Sequence, residues 1–338
     1  MRYLVYGAGT IGGLLGGLLS KAGHDVTLVT RGAHRQAMAE RGLVIHEKAS
    51  GRTDTIPVKA IQPDAVQGTY DVVYVTLKAH QIAGSAEEIA RLRAKDGCFV
   101  FCQNGLPWWY FDRIASPHAG TRLTTLDPDG KLARIFPVET IVGSLIFKPC
   151  DMVEPGKLSH TAAASDRLVI GEVDNVLTAR LEKIAADMNG AGLKCEVSSD
   201  IRKSKWTKLL NNAVWNPLCA LTQSGNHQVA KFAPTRELAA AMIAEAKAVA
   251  ASVGIVLDVD PQKTADDMAK RPPATSSTLA DVRFGRQLEL DALCRSVIEM
   301  ANLTGVPVPF LRAVTACAGL LDQRIVEDGV CLRPISVR

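Results

Sequence analysis

At 338 residues the chain has room for about two domains of ordinary size. Lys plus Arg number 39 against 35 Asp plus Glu, a formal net charge of +4, and no run of five like charges occurs, which speaks against a basic nucleic-acid-binding stripe. Apolar residues make up 47% and charged residues 22%, enough for a core in each domain and incompatible with disorder on a domain scale.

Arg2-Tyr3-Leu4-Val5-Tyr6 reads as a short buried strand. A glycine-rich turn follows, then an apolar helix to about residue 21. Residues 3–20 carry no charge and are long enough to imitate a short membrane span. Gly7, Gly9, Gly12, Gly13, Gly16 and Gly17 fall within them, the first of these break a continuous helix, and the stretch lacks the layout of a secretory signal. We therefore expect a cytoplasmic protein. Residues 25–30 are apolar and β-branched, a second strand, which completes a βαβ unit. The alternation continues with a strand over 71–76, a helix over 80–94 and a strand over 98–102. Further short strands are expected at 141–148, 156–161 and 167–171, with a helix over 177–189. From residue 201 the pattern is helical, with long helices over 236–253 and 279–304, the latter stopped by Gly305 and Pro307. Residues 258–278 hold three prolines and read as partly loop. The expected fold is α/β: an N-terminal Rossmann-type dinucleotide-binding domain over 1–199 and a C-terminal all-helical substrate and catalytic domain over 200–338.

The eight cysteines, Cys98, Cys102, Cys150, Cys195, Cys219, Cys294, Cys317 and Cys331, form no C-x-x-C and none stands at zinc-ligand spacing to a histidine. Most lie in apolar runs, so they read as buried free thiols in a reducing compartment. No metal is expected.

Gly7-Ala8-Gly9-Thr10-Ile11-Gly12 is a G-x-G-x-x-G between a strand and a helix, the context that gives the motif meaning. The first glycine permits the tight turn, the second lets backbone approach a pyrophosphate, and the third lets helix and strand pack closely. The anion then rests on free N–H groups at the helix start. An NAD enzyme usually carries an acid about 20 residues on, for the ribose 2′-hydroxyl. Here the second strand ends Val29-Thr30-Arg31, without one. Arg31 would pair with a 2′-phosphate, and a charged hydrogen bond of about 1.5–3 kcal/mol gives a preference for NADP(H) of roughly 10- to 150-fold. His34 and Arg35 are secondary helpers.

Two loops follow strands at the ends where open α/β sheets bind ligands: Leu77-Lys78-Ala79-His80-Gln81 and Gln103-Asn104-Gly105. From the residues alone, Lys78 reads equally as a surface lysine or a ligand group, and Asn-Gly is commonly only a turn. In the helix over 203–216, Trp206, Leu209, Leu210, Ala213 and Val214 form one apolar stripe. Lys208, Asn212 and Asn216 step by four along another face, and Pro217 should end or kink the helix. Asparagine is a poor helix former, so this line is either a solvated face or one retained for a task. Thr275-Ser276-Ser277-Thr278 reads first as helix capping and Glu289 as an ordinary mid-helix charge.

Taken in order, these pieces resemble the ketopantoate reductase (2-dehydropantoate 2-reductase) family over nearly the whole chain. The resemblance rests on residues 7–12, Lys78-Ala79, Gln103-Asn104-Gly105, Lys208-Leu209-Leu210-Asn211-Asn212 with Asn216-Pro217, Ser276-Ser277-x-Leu279-x-Asp281, and Glu289-Leu290-Asp291. It implies NADPH-dependent reduction of a 2-oxo acid to a 2-hydroxy acid, pantothenate biosynthesis as the setting, and an active site between a Rossmann domain and a helical domain. It further implies that Lys208 is the general acid and that Glu289 accepts a substrate hydroxyl. Asn104, Asn212, Asn216 and Ser277 bind substrate. Gly7, Ala8, Gly9, Thr10, Ile11, Gly12, Arg31, Lys78 and Asn104 bind NADP(H). The expected partner is a small 2-oxo acid, with no nucleic acid and no membrane; a homodimer is left open. The chain departs from the family pattern at Ala274, where a polar residue is common, and at Arg295, where glycine is common. Leu106-Pro107-Trp108-Trp109-Tyr110-Phe111 reads as packing rather than recognition. These departures keep two alternatives in view: a related reductase of another 2-oxo acid, and a non-catalytic NADP(H)-binding sensor.

Overall fold

The computed structural model describes residues 1–334. They form two compact units, which are not two contiguous halves. The first comprises Met1–Gln103 and Gly130–Ser204; the second comprises Asn104–Asp129 and the chain from Lys205 onward. Against the single boundary expected at 199/200, these units divide after Ser204, and residues 104–129 lie with the helical unit.

In the first unit the chain runs β1 (Arg2–Tyr6), α1 (Thr10–Lys21), β2 (Asp25–Val29), α2 (Gly32–Arg41), β3 (Leu43–Glu47), β4 (Thr53–Ile56), β5 (Lys59–Ile61), β6 (Tyr70–Val75), α3 (Ala79–Ala90) and β7 (Arg93–Phe101). It resumes with α4 (Lys131–Ile135), β8 (Ile141–Phe147), β9 (Cys150–Glu154), β10 (Lys157–His160), β11 (Arg167–Glu172), α5 (Ala179–Gly190) and β12 (Cys195–Val197). The main sheet has the order β12-β11-β8-β7-β6-β1-β2-β5. Its six strands from β8 to β5 are parallel, and the pair β11 and β12 runs antiparallel to β8. The central strands read as unbroken apolar runs because both faces of a parallel sheet are covered; Tyr3, Leu4, Val5, Val73 and Tyr74 are wholly buried. With β2 on one side of β1 and β6 on the other, the strand order reverses beside β1, the place where such sheets bind ligands.

A second sheet, β4-β3-β10-β9, was not legible in the sequence apart from β10. Its outer strands are short and largely exposed, so they carry little alternation to detect. It packs against α1 and explains the paired glycines of that helix. A Cβ at Gly17 would meet Leu43 of β3 at 2.7 Å, while one at Gly16 would meet Leu28 of β2 at 2.1 Å. The helix thus runs unbroken between two close-fitting surfaces.

The second unit is helical: α6 (Ile201–Thr222, begun in the first unit), α7 (Asn226–Lys231), α8 (Ala233–Ser252), α9 (Pro261–Ala269), α10 (Ser277–Arg283), α11 (Ser296–Thr304) and α12 (Pro309–Asp328). Helix α8 packs against α7, α9, α11 and α12, its small alanines allowing close contact. One expectation is narrowed here and one corrected. Pro217 does not end α6, which continues to Thr222. The long helix expected over 279–304 is broken: α10 stops at Arg283, Gly285 takes φ +62°, and a π-helical turn at Asp291–Arg295 leads into α11. Buried Asp281 and Asp322 hold the break, accepting from Arg286 Nε at 2.9 Å and from the Leu288 N–H at 2.7 Å. The cysteines also divide: Cys317 and Cys331 are exposed, contrary to the buried reading, and all eight are free thiols.

Among the described residues no helix is long and apolar enough to cross a membrane.

Candidate active site

In the first unit the cofactor motif sits where β1 meets α1. Gly7 adopts φ +98°, a conformation that only glycine takes freely, and a Cβ there would lie 2.9 Å from Leu77. At Gly9 a Cβ would find nothing nearer than 3.9 Å, so the loop leaves open space on that side. Gly12 has none: a Cβ would meet Thr76 Oγ1 at 2.4 Å, which is the close helix–strand fit demanded of the third glycine. Helix α1 begins at Thr10 with no side-chain cap on its first N–H groups and no acid in its first turn, a seat for an anion. These residues fit the pyrophosphate of a dinucleotide.

The loop after β6 is tied to this turn. Thr76 Oγ1 donates to the Gly7 carbonyl at 2.8 Å, and Gln103, buried at the end of β7, donates from Nε2 to the carbonyls of Val75 (2.9 Å) and Leu77 (3.0 Å). Sequence reasoning missed Thr76 and the role of Gln103; their position directly after apolar strands was the available signal. Lys78 is the N-terminal flanking residue of α3, half-buried, its N–H donating to Gln81 Oε1 at 3.1 Å. Arg31 is exposed at the start of α2 and lines a cleft with Gln62, Asp64, Glu87, Glu88 and Arg91.

In the second unit one hydrogen bond joins two residues of the motifs. Lys208 Nζ, half-buried on α6, donates to Asn104 Oδ1 at 2.8 Å. The two residues after Asn104 fasten it in place. Gly105 adopts φ +79°, and a Cβ there would lie 2.1 Å from the Ala292 carbonyl oxygen, to which the Leu106 N–H donates at 2.9 Å. Ala292 belongs to the π-helical turn, a device that leaves carbonyls outside the regular ladder and recurs at functional sites. Asn-Gly here is thus a turn with a required glycine and a docking partner.

The same π turn supports α6. Pro217 has no N–H, so the carbonyl of Ala213, four residues earlier, loses its helical donor. Cys294 Sγ donates to that oxygen at 3.7 Å. Burial pushes the Cys294 thiol up to about 12, which keeps its proton in place. Proline can therefore stand inside α6 without ending it. Asn212 and Asn216 follow Lys208 at one-turn intervals; Asn212 is half-buried and Asn216 is 5% exposed. An asparagine buried to that extent excludes the plain solvated face.

Glu289 is not mid-helix. It lies just before the π turn, half-buried, with its carbonyl accepting from the Leu293 N–H at 3.1 Å. Ser276 caps α10, its Oγ accepting from the Leu279 N–H at 3.2 Å, and Ser277 is exposed at the first helical position. The aromatic run packs as expected: Trp109, Tyr110 and Phe111 are buried, and Tyr110 Oη accepts from Trp206 Nε1 at 2.7 Å. Lys205, buried one turn before Lys208, holds Nζ 5.9 Å from the centre of the Trp109 ring. Arg295 pairs with Asp291 at 2.8 Å and reaches Gly319 of α12, which gives its bulk and charge a place on that side. Among the described residues no cluster of His, Cys, Asp and Glu could hold a metal ion.

Residues 3–175 match the family model described as ketopantoate reductase PanE/ApbA, and residues 200–322 match its C-terminal counterpart. The 2-dehydropantoate 2-reductase of Mesorhizobium japonicum is 34% identical over 330 residues, covering 97% of this chain and 99% of the relative. That of Pyrococcus horikoshii is 26% identical over 313 residues, covering 91% and 93%. Among solved structures, a chain from Ralstonia solanacearum MolK2 with a provisional ketopantoate reductase name has a TM-score of 0.89 at 33% identity, covering 97% of this chain and 99% of that one. The 2-dehydropantoate 2-reductase of Geobacter metallireducens GS-15 has a TM-score of 0.80 at 26% identity, covering 95% and 99%.

Proposed function

The chain belongs to the ketopantoate reductase family, and on that premise we propose that it reduces 2-dehydropantoate (ketopantoate) to pantoate with NADPH. The observation that carries this reading is the Lys208–Asn104 hydrogen bond, which joins two motif residues 104 positions apart. When bound, the reduced nicotinamide supplies a hydride to the ketone carbon. Negative charge then builds on the ketone oxygen; the Lys208 ammonium stabilises it and transfers a proton, so that hydride and proton together yield the hydroxyl. Asn104 aims that ammonium by accepting one of its hydrogen bonds through Oδ1. Glu289 accepts from a substrate hydroxyl, while Asn212, Asn216 and Ser277 donate to its carboxylate and polar groups. On the cofactor side, Gly7, Ala8, Gly9, Thr10, Ile11 and Gly12 seat the pyrophosphate. Arg31 takes the 2′-phosphate, with Lys78 and Asn104 nearer the nicotinamide. A cytoplasmic location and a homodimer complete the reading; the buried free thiols support the first, and sedimentation checks the second.

The test is NADPH oxidation with ketopantoate against a panel of other 2-oxo acids at neutral pH. Turnover of ketopantoate at kcat/KM of about 10⁴ M⁻¹s⁻¹ or more supports the proposal. A clear preference for another 2-oxo acid transfers the substrate assignment to that acid. NADPH binding without any turnover replaces the enzyme with a sensor.

A further inference from the structure

His34 lies in the first turn of α2 and is 8% exposed, unusual for a histidine three residues from the exposed Arg31. Its two ring nitrogens have different surroundings. Nδ1 accepts the Gly156 N–H at 2.9 Å. Gly156 turns the β9–β10 hairpin at φ +82° and lies against Ala37, where a Cβ would come within 2.8 Å of the Ala37 side chain. The donor is a backbone amide that cannot reverse its role, so Nδ1 must be unprotonated and the neutral ring carries its proton on Nε2. Nε2 is buried and makes no hydrogen bond of ordinary geometry, and the Ala8 backbone is the one group that interacts with the ring from that side. It lies toward the start of α1: the position of a Cβ on Gly13 is 4.0 Å from Nε2 and 3.9 Å from the Ala8 carbonyl oxygen. A buried N–H whose hydrogen bond is left incomplete costs up to about 1–3 kcal/mol. Here it faces the backbone of the loop that seats the cofactor.

We propose that His34 is a positioning residue for the dinucleotide: its Nε2–H, aimed at the Ala8 carbonyl, fixes the glycine loop against the β9–β10 hairpin in the shape that receives the cofactor. The inference rests on the proposed binding of NADP(H) and adds to it a residue that contacts the loop rather than the ligand. It also gives the second sheet a role, as the fixed body from which the loop is held.

Only the neutral ring can do this. Protonation would set an Nδ1–H against the Gly156 N–H. Burial keeps the pKa of His34 below the ordinary histidine value, against an opposing pull from the Ala8 backbone. The charged groups on the elements around it are few. Glu154 and Lys157 flank the hairpin turn and pair with each other at 3.7 Å, both exposed. Arg35, Glu40 and Arg41 share its helix, which Arg31 precedes, and Asp151 and His160 lie further along the hairpin strands. The glycine loop and the α1 residues at Gly13 carry no charge.

The experiment is direct titration of the full chain with NADP⁺ by calorimetry, from pH 5 to pH 8, on the wild type, His34→Leu and His34→Gln. Glutamine can accept from Gly156 through Oε1 and donate through Nε2, at all these pH values. At pH 7.5, His34→Leu should weaken binding about tenfold, the loss of one hydrogen bond, and His34→Gln should recover most of it. Toward pH 5 the wild type should lose affinity more steeply than His34→Gln, in which every other titrating group of protein and ligand is kept. Equal affinity for wild type and His34→Leu overturns the proposal. So does a glutamine variant as weak as the leucine one, or wild-type binding that gains on His34→Gln in acid, which would make the ring a charge partner. Absence of NADP⁺ binding by the wild type refutes the cofactor reading instead, and the two failures are thereby distinct.

Discussion

At the scale of single residues the proposed chemistry rests on Lys208 and Asn104. If Lys208 is the proton donor, Lys208→Ala should lower kcat by roughly 10²- to 10⁴-fold, the usual worth of a placed general acid. NADPH affinity, read by fluorescence titration, should fall no more than about fivefold, since the proposed cofactor contacts do not include Lys208 and the one hydrogen bond it makes to Asn104 is worth only about 1 kcal/mol. An unchanged kcat would remove Lys208 from its role. Arg31 is the other discriminating residue. Arg31→Ala should weaken NADPH binding by roughly 10- to 150-fold and leave NADH binding as it was, because only the former has a 2′-phosphate to lose. Equal losses for both cofactors would mean that Arg31 does not read that phosphate. The sequence showed both residues by type and spacing, but their surroundings were invisible in it. Nothing local distinguishes Lys208 on α6 from a solvated lysine until the Asn104 amide oxygen is found 2.8 Å from its Nζ.

Among the elements, the π-helical turn at Asp291–Arg295 does the most. It accepts the Leu106 N–H on Ala292, and through Cys294 it supplies a donor to the Ala213 carbonyl that Pro217 leaves without one. One irregular turn thus supports both the loop bearing Asn104 and the helix bearing Lys208, Asn212 and Asn216. The most sensitive joint is Gly105. Gly105→Ala places a Cβ 2.1 Å from backbone oxygen at φ +79°, and neither can yield cheaply. We expect a loss of about 3 kcal/mol in urea unfolding, with kcat falling more than NADPH affinity as Asn104 is displaced. A variant with wild-type stability and turnover would show that the turn is not needed. The sequence suggested an unbroken helix here because residues 279–304 keep helical apolar spacing with no proline; the break depends on Asp281 and Asp322 taking donors from Arg286 and Leu288, contacts that spacing does not encode.

For the molecule as a whole, the second unit depends on how segment 104–129 is fastened. Glu299 of α11 accepts the N–H and hydroxyl of Thr124, both at 2.7 Å, and the Thr125 N–H at 3.0 Å. Burial works to raise its pKa, but the Thr124 and Thr125 donors outweigh it and hold the carboxyl below its ordinary 4.5. A depressed carboxylate contributes stability that is complete above the unfolded-state value and is lost as pH falls through the folded one. The wild type should therefore lose stability in acid as pH drops below about 4.5. Glu299→Gln should be less stable near neutrality and show a shallower acid limb, measured by thermal unfolding across that range. Parallel acid limbs for the two proteins would assign the pH dependence elsewhere.

By itself the sequence determined the features that repeat over a few residues: the βαβ start, the glycine loop, the lack of an acid after β2, the apolar stripe of α6 and the order of motifs that marks the family. Such features follow from backbone sterics and from the periods of strand and helix, which act between near neighbours. Only the tertiary structure decided what depends on distant groups meeting. The second sheet forms because exposed, weakly patterned strands find α1 to cover. Segment 104–129 joins the helical unit because Glu299, Trp206 and Ala292 offer it partners. Inside α6 the carbonyl that Pro217 leaves without its helical donor meets a thiol 77 positions beyond the proline. Burial and hydrogen-bond satisfaction are properties of the assembled chain, so these outcomes had no signature at short range.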